Sequence, residues 1–214
     1  MSRILAKAIR HLRRRLFDAP RGLGRPAPAA VFDREYVGGR WDLLQTDDEH
    51  PRYETLARLI TAAAVRPRVL DLGCGSGRLA QVLAPARPVR WLGVDLSPEG
   101  LRRARTLGLD FAEFAEGDFE TWRPPAGEQF DAVVFNESLG YARDPRSTVN
   151  AFAPFVRPGG ILLVSYYRSG NWRAIWRRIT ASYPVVQATV VANARGQTWD
   201  IRTLRPACAP RGTP

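Results

Sequence analysis

The stretch that decides the fold reads VLDLGCGSGRL over residues 69–79. A short apolar segment leads directly into three glycines at alternate positions, Gly73, Gly75 and Gly77, and the residues after them can open a helix. Glycine is needed where the backbone turns tightly and a ligand lies against bare peptide. Ligands of open α/β sheets bind at the carboxyl ends of the strands, so this loop predicts a nucleotide site.

Short apolar strands alternate with helical stretches along the rest of the chain. Strands are predicted over 68–72, 90–96, 111–115, 130–135, 161–167, 185–192 and 197–204, and helices over 78–83, from 97 onward, 145–156 and 171–182. Strands that are apolar throughout and joined by helices indicate a parallel sheet covered on both faces. The turn at 193–196 predicts a hairpin. The predicted fold is therefore α/β, a Rossmann-like doubly wound sheet, mostly parallel with a C-terminal antiparallel hairpin.

The 214 residues divide into four predicted regions. Residues 1–30 are expected to form a basic amphipathic helix and a Pro/Gly linker, and residues 31–67 an N-terminal helical cap. Residues 68–206 form the nucleotide-binding domain, and residues 207–214 are expected to be a flexible tail. The apolar face of the cap is predicted at Tyr53, Leu56, Leu59 and Ile60.

The charge distribution argues against nucleic acid as a partner. The net charge is +11, but residues 1–30 and 168–214 each carry +7 while residues 31–167 carry −3. An enzyme acting on nucleic acid more often has its basic residues around the site itself.

No apolar run approaches the roughly 18 residues of a membrane-spanning helix, so a cytoplasmic location is expected. Two cysteines exclude a disulfide framework, and no metal-ligand spacing is present, so no metal is expected.

The amphipathic segment at residues 3–17 leaves three roles open. Its apolar residues recur every three to four positions among arginines, as in Ile9, Leu12 and Leu16. The segment could dock on its own domain or a partner, lie peripherally on an anionic membrane surface, or serve as a targeting signal. It has no clear cleavage site after a continuous apolar core, so secretion is disfavoured.

The residues around the loop reduce the number of nucleotide classes that could bind there. A phosphate-binding loop needs Gly-Lys-Ser/Thr, and a dinucleotide fingerprint needs glycine where Arg78 stands, so both readings fail. Asp71, two residues before the first glycine, would repel a pyrophosphate but would suit an ammonium or sulfonium group. Asp95, at the tip of the second strand, can accept both ribose hydroxyls. Asp118 and Phe119 follow the third strand, where they could contact an adenine.

Five blocks in this order resemble the class I S-adenosylmethionine-dependent methyltransferases. They are DLGCGSG (71–77), GVDLS (93–97), GDF (117–119), FDAVVFNESL (130–139) and RPGGIL (157–162). The resemblance implies S-adenosylmethionine as cofactor and S-adenosylhomocysteine as product. It implies that Asp71, Gly73, Cys74, Gly75 and Gly77 hold the methionine part, Asp95 and Leu96 the ribose, and Asp118 and Phe119 the adenine. It also implies that Asn136 and the residues after the fourth strand face the methyl group.

A narrower resemblance is to bacterial small-molecule methyltransferases of polysaccharide and natural-product pathways. It rests on YVGGRWDL (36–43), Arg52-Tyr53, NESLGY (136–141) and GQTW (196–199). It implies that Arg40 and Trp41 close over the cofactor, unless they are a surface arginine and a packing tryptophan. Many of these relatives have an aromatic residue where Gly140 stands here, which implies a roomier pocket.

Methyl transfer to a small-molecule acceptor, on O or N, is the function that this resemblance implies. It is a single in-line displacement, for which proximity and alignment matter most. Glu137 is the first candidate for a base or acceptor-orienting group, although its carboxylate could instead bind the cofactor's ammonium or backbone. Tyr141 is the second, as pocket wall or hydrogen-bond donor. His50 is the third, unless it is a solvated member of the polar run 47–49.

Other functions remain in competition. The basic termini favour an RNA or protein methyltransferase, but base-amino methylases resemble one another in an Asn/Asp-Pro-Pro-aromatic run that NESL (136–139) does not match. A non-catalytic S-adenosylmethionine-binding protein is a further alternative. A nicotinamide oxidoreductase is disfavoured by Arg78.

Overall fold

The computed structural model describes residues 8, 9 and 11–206, and seven strands in these residues form one sheet in the order β3-β2-β1-β4-β5-β7-β6. The strands are β1 Arg68–Leu72, β2 Arg90–Asp95, β3 Ala112–Glu116, β4 Phe130–Asn136, β5 Val156–Tyr167, β6 Val185–Ala192 and β7 Thr198–Leu204. The first five pair in parallel, while β7 is antiparallel to both β5 and β6. The predicted fold class is therefore confirmed, including the C-terminal hairpin.

Helices cover both faces of this sheet. They are α1 Ala29–Val37, α2 His50–Ala63, α3 Arg78–Leu83, α4 Pro98–Arg105, α5 Pro145–Phe152 and α6 Trp172–Thr180, with 3-10 turns at Arg40–Gln45, Ala84–Ala86, Leu139–Tyr141 and Ala153–Phe155. One core cluster packs α2 and α3 on the sheet, and the other packs α5 and α6 on its opposite face. None of the helices in the described part of the chain is long and apolar enough to cross a membrane.

The chain order creates the crevice that ligands use in this class of sheet. From β1 the chain moves outward to β2 and β3, then returns across β1 to β4 on the other side. The connections after β1 and β4 therefore leave the sheet in opposite directions. Because all three inner strands are parallel, the residues after β1, β2 and β4 meet at one edge.

Two element boundaries differ from prediction by more than two residues. The helix predicted over 145–156 ends as an α-helix at Phe152 and gives way to the 3-10 turn Ala153–Phe155. The strand predicted over 161–167 already begins at Val156, which pairs with Phe130 before the register shifts. The proline and two glycines at 158–160 suggested a loop, but tertiary pairing with β4 extends the strand through them.

The N-terminal segment contacts the domain through the last residues of the segment, around 19–24. The described part contains helical residues at 8, 9 and 11–13 and a π-helical turn at Arg14–Asp18. The stretch expected to be a linker is held by α6, because Asn171 Nδ2 donates to the Ala19 and Leu23 carbonyls at 3.3 and 3.0 Å. A Cβ built on Gly22 would overlap the backbone of Ala174, so the two backbones touch. The tail expected at 207–214 lies outside the described residues, as do residues 1–7 and 10.

Candidate functional site

The glycine loop after β1 is a tight turn that forms one wall of a cleft. The backbone N–H groups of Gly73 and Cys74 both donate to the Val94 carbonyl, at 2.8 and 3.1 Å. Gly73 and Gly75 have φ of +79° and +55°, the left-handed region that glycine tolerates. Added Cβ atoms would overlap the Ser138 side chain and the Tyr36 hydroxyl respectively. The loop therefore needs glycine both for conformation and for close approach.

Two residues of the loop serve the packing beneath it. Gly77, the N-cap of α3, has φ +76°, and a Cβ there would press on Leu107, Ala104 and Phe114. It does not line the cleft. Cys74 does line it, but its side chain is buried, and burial raises the pKa of the thiol. A neutral thiol of this kind acts as a small apolar side chain rather than a nucleophile.

Asp71 is a buried acid directly behind the loop. It occupies β1 and is 1% exposed, so it does not line the cleft surface. Its Oδ1 atom has no hydrogen-bond partner among the described residues. Burial raises the pKa of Asp71 to about 8; Asp95 acts in the same direction and Arg52 opposes it. A buried carboxyl oxygen without a partner is costly, which makes it the expected counterpart of a cationic ligand group.

Asp95 lies at the end of β2 and faces the cleft beside Leu96. Its Oδ2 accepts from the Gly75 N–H at 2.7 Å and its Oδ1 from the Ser97 N–H at 2.8 Å. Burial raises the pKa of Asp95, and these backbone hydrogen bonds lower it. A carboxylate has about four acceptor sites, so two remain for hydroxyl groups of a ligand.

Asp118 and Phe119 form the wall beyond β3. Asp118 Oδ1 accepts from the Glu120 N–H at 2.8 Å, which shapes the turn, and both Asp118 and Phe119 line the cleft. The Phe119 ring packs edge-on against Phe135, with centroids 6.5 Å apart. This contact supports the Phe119 ring from the side of the core.

A buried cation, Arg52 of α2, faces the cleft from the other side. It is 1% exposed and pairs with Glu49 Oε2 at 2.6 Å. Its NH1 donates to Asn136 Oδ1 at the end of β4, and its guanidinium lies 4.3 Å from the Tyr53 ring centroid. The cap is thus attached to the sheet through a charged group that reaches the cleft.

Glu137 has an unusual backbone conformation, with φ +60° in a residue other than glycine. Its Oε1 accepts from the Ser165 hydroxyl at 2.8 Å, and its Oε2 accepts from the Tyr167 N–H at the same distance. Burial raises the pKa of Glu137. The carboxylate borders the cleft while both of its oxygens are bound to β5, including one backbone contact.

The far end of the cleft is aromatic. Tyr141 and Phe32 pack edge-to-face with centroids 5.0 Å apart, and Pro26 and Ala27 complete this end. Burial raises the pKa of Tyr141, so its hydroxyl is a neutral donor. These side chains bring the N-terminal segment and the residues after β4 to one surface.

The space beside Gly140 is not open, which argues against the roomier pocket expected there. A Cβ at this position would come within 2.8 Å of the Tyr166 hydroxyl, at the end of β5. The space that a second aromatic residue would take is therefore filled by an aromatic side chain from another strand.

The structure brings most of the predicted site residues together in this cleft of about 980 Å³. They are Trp41, Gly73, Cys74, Gly75, Asp95, Leu96, Asp118, Phe119, Asn136, Glu137 and Tyr141. Asp71 and Gly77 lie directly behind this surface. This volume includes the solvent-filled mouth of the cleft.

Two predicted site residues lie elsewhere. His50 borders a separate depression, and its Nε2 lies 3.0 Å from Glu54, one helical turn along α2. The expectation that His50 takes part in catalysis is therefore not supported. Arg40 pairs with Glu35 at 3.2 Å, with its guanidinium 5.7 Å from the Trp41 ring, and does not line the cleft. In both cases a nearby acid binds the side chain outside the cleft.

The sequence predicted no site role for Arg52 or Tyr36, although both stand in segments that carry the narrower resemblance, and it did not predict the wall formed by Pro26 and Ala27. Arg52 carried a readable signal, because it stands four and seven residues before Leu56 and Leu59, on the apolar face of α2. A charged residue on a buried helix face needs a partner and is often functional. Tyr36, whose hydroxyl packs on Gly75, has no comparable signal.

The sheet order and the acids around the glycine loop define the class: a class I S-adenosylmethionine-dependent methyltransferase fold. The family described as a methyltransferase domain matches residues 37–212, and the chain belongs to this family. The solved N-methyltransferase NodS of Bradyrhizobium japonicum, crystallised with S-adenosylhomocysteine, superposes with a TM-score of 0.72 at 22% identity, covering 84% of this chain and 98% of that one. The [4+2]-cyclase SpnF superposes with a TM-score of 0.65 at 17% identity, covering 87% and 99%.

Curated relatives align over about half of the chain. A trans-aconitate 2-methyltransferase of Paracidovorax citrulli is 36% identical over 122 residues, which are 56% of this chain and 46% of that protein. A ubiquinone biosynthesis O-methyltransferase of Xylella fastidiosa is 37% identical over 101 residues, 46% and 41% of the two chains. The chain thus spans about half the length of the curated relatives it matches.

Proposed function

We propose that this protein transfers a methyl group from S-adenosylmethionine to a small-molecule acceptor. The observation that carries the proposal is the buried carboxyl of Asp71, which has an oxygen without a partner in the described chain and lies behind the glycine loop. A carboxylate there opposes a phosphate and favours a cation. S-adenosylmethionine brings an ammonium and a sulfonium to such a site.

The residues of the cleft fit the parts of this cofactor. Once Asp71 is ionised, it and Arg52 carry opposite charges, and an amino-acid end has an ammonium for one and a carboxylate for the other. The remaining acceptor sites of Asp95 suit the two ribose hydroxyls. Asp118 and Phe119 offer an acceptor and a ring face for adenine.

The acceptor is proposed to bind at the aromatic end of the cleft. When bound, S-adenosylmethionine supplies an already activated methyl group, so the task of the chain is alignment and exclusion of water. Tyr141 and Phe32 form an aromatic wall there, and Glu137 is held by hydrogen bonds from Ser165 and Tyr167 of β5. Because burial raises the pKa of Glu137, its carboxyl is suited to take a proton from an acceptor hydroxyl or to orient the acceptor.

The names of the relatives support small acceptors but differ in chemistry. They include an O-methyltransferase, an N-methyltransferase and an enzyme acting on trans-aconitate. The cyclase with this fold demonstrates that the fold by itself does not decide the reaction. A non-catalytic binding protein and an RNA or protein methyltransferase remain the competing functions, and the assays below separate them.

Calorimetry tests the cofactor first. The protein should bind S-adenosylmethionine and S-adenosylhomocysteine, and heat with NAD but none with either of these would overturn the assignment. Asp95→Ala should weaken binding by about 1.5–3 kcal/mol, the worth of hydrogen bonds to a charged group. Asp110→Ala removes an exposed acid elsewhere and should leave the Kd unchanged.

Transfer of radiolabelled methyl groups tests catalysis. Incorporation into a metabolite extract, but not into RNA or protein, is the expected result. Tyr141→Phe and Glu137→Gln should lower kcat/KM for the acceptor and leave the Kd of S-adenosylhomocysteine nearly constant. Cofactor binding without transfer to any fraction would favour the non-catalytic alternative.

A further inference from the structure

The N-terminal helical segment presents an exposed apolar row. Ile9, Leu12, Leu16 and Phe17 are 49%, 56%, 57% and 52% exposed. Their spacing of three, four and one residues places them on one side of the helix. The helix is not free to turn this side inward, because Arg14 on another face donates to the Gly24 carbonyl at 2.9 Å.

Arginines surround this row. Between residues 11 and 25 the chain carries five arginines and one acid, Asp18, whose contact with Arg13 is 3.9 Å long. The neighbouring helix α6 adds exposed Arg173 and Arg177, and Arg177 donates to the Pro20 carbonyl at 2.9 Å. Apolar side chains are thus flanked by positive charge contributed by two elements.

We propose that this face, defined by Ile9, Leu12, Leu16 and Phe17 with the arginines beside them, docks on an anionic lipid surface. An interfacial helix inserts its apolar row into the headgroup region, while flanking arginines reach the lipid phosphates with their long side chains. A second copy of the chain fits less well, because a symmetric contact would bring the arginines of the two copies together. A nucleic acid would use the arginines but not the apolar row.

The position of the face relates it to the cleft. The chain runs from Asp18 through the stretch held by Asn171 and reaches Pro26 and Ala27, which border the aromatic end. The proposed lipid-binding helix and this part of the cleft are therefore joined by a short stretch of chain that is held against the domain. The proposal concerns lipid binding by the whole chain, so it does not depend on the methyl-transfer reaction.

Sedimentation with lipid vesicles tests the proposal on the whole 214-residue chain. Phosphatidylglycerol–phosphatidylcholine vesicles should pellet the protein and pure phosphatidylcholine vesicles should not, with binding weakened by salt. The double variant Leu12→Glu/Leu16→Glu should lower the bound fraction at least about tenfold. Its matched control is Val65→Glu/Val89→Glu, which introduces the same charge at valines that are 89% and 51% exposed next to β1 and β2, and should bind as the unchanged protein does.

Three results would overturn the proposal. The first is equal pelleting of the Leu12/Leu16 variant and the unchanged protein. The second is loss of binding on Arg13→Glu/Arg15→Glu but not on Leu12→Glu/Leu16→Glu, which would indicate a site for polyanions. The third is a fall in sedimentation coefficient from dimer to monomer in the leucine variant, which would assign the face to a second copy. Unchanged S-adenosylhomocysteine binding confirms that each variant is folded.

Discussion

Replacement of Asp71 by asparagine tests two properties of this carboxyl group. One is the effect of its burial on the free energy of unfolding, and the other is the contribution of its charge to cofactor binding. The amide has nearly the same shape as the carboxyl and carries no charge, so packing around β1 is retained. In the folded protein, burial raises the pKa of Asp71 to about 8, with a contribution in the same direction from Asp95. In the unfolded chain an aspartate has a pKa of about 3.9.

The effect of pH on the free energy of unfolding follows from the pKa values of Asp71 in the folded and unfolded chain. Between about pH 4 and pH 8 the unfolded chain has released this proton and the folded protein keeps it. Raising the pH therefore stabilises the unfolded state, by about 1.4 kcal/mol for each pH unit. Asp71 alone should lower the free energy of unfolding by about 4 kcal/mol between about pH 5 and pH 8, a large part of the 5–15 kcal/mol typical of a domain.

Urea unfolding of the protein without cofactor measures this difference. Asp71→Asn should lose less stability than the unchanged protein over that pH range, by about 4 kcal/mol. Burial also raises the pKa values of Asp95 and Glu137, but these groups are present in both proteins and cancel in the comparison. Asp110→Asn, at an exposed position, should follow the unchanged protein at every pH. Parallel curves for Asp71→Asn and the unchanged protein would refute the raised pKa.

The same substitution tests the proposed use of the charge. A cation bound beside Asp71 favours its ionised form, so S-adenosylmethionine binding should release a proton near neutral pH and strengthen as the pH rises toward 8. Calorimetry in two buffers of different ionisation enthalpy measures the released proton. Asp71→Asn should abolish the release and weaken binding by about 1.5–3 kcal/mol; an unchanged Kd would contradict the proposed contact.

Three further outcomes are expected. Arg52→Met should lower the free energy of unfolding by about 3–5 kcal/mol in urea titrations, because it leaves a buried carboxylate without its cation. Gly73→Ala should cost more than about 2 kcal/mol through strain and overlap, whereas Gly108→Ala, with φ +62° but open space around it, should cost only about 1 kcal/mol. Removal of residues 1–18 should leave both S-adenosylhomocysteine affinity and the KM for the acceptor unchanged, while removal of residues 1–28 should raise the KM for the acceptor about tenfold by opening the wall where the acceptor is proposed to bind.

Much of the fold was readable because its signals are local. Each inner strand is a nearly continuous apolar run, and the three glycines of the loop stand at alternate positions within five residues. The placement of Asp95 and Asp118 followed as well, since the carboxyl ends of parallel strands meet at one edge. These inferences need only the spacing of apolar residues along the sequence and the rule that parallel strands end at the same edge of a sheet.

The cap and the N-terminal segment were harder to anticipate. Arg52 reaches Asn136 across 84 residues, and Asn171 holds the Leu23 carbonyl across 148. Both pairings depend on how helices lie on the sheet, which no local pattern specifies. The expectation for His50 rested on a local feature, a histidine among other polar residues. The structure shows that His50 contacts Glu54 on the same helix, away from the cleft.

By itself the sequence determined the strand–helix order, the glycine turn and the acids at the strand ends, because hydrophobic period and backbone freedom act over a few neighbouring residues. Only the tertiary structure decided that Arg52 reaches the cleft and acts on the buried Asp71, that Tyr166 fills the space beside Gly140, and that Pro26 is a wall of the cleft. Those outcomes depend on burial and close packing between distant segments, where the energy of each contact exists only once the chain has folded.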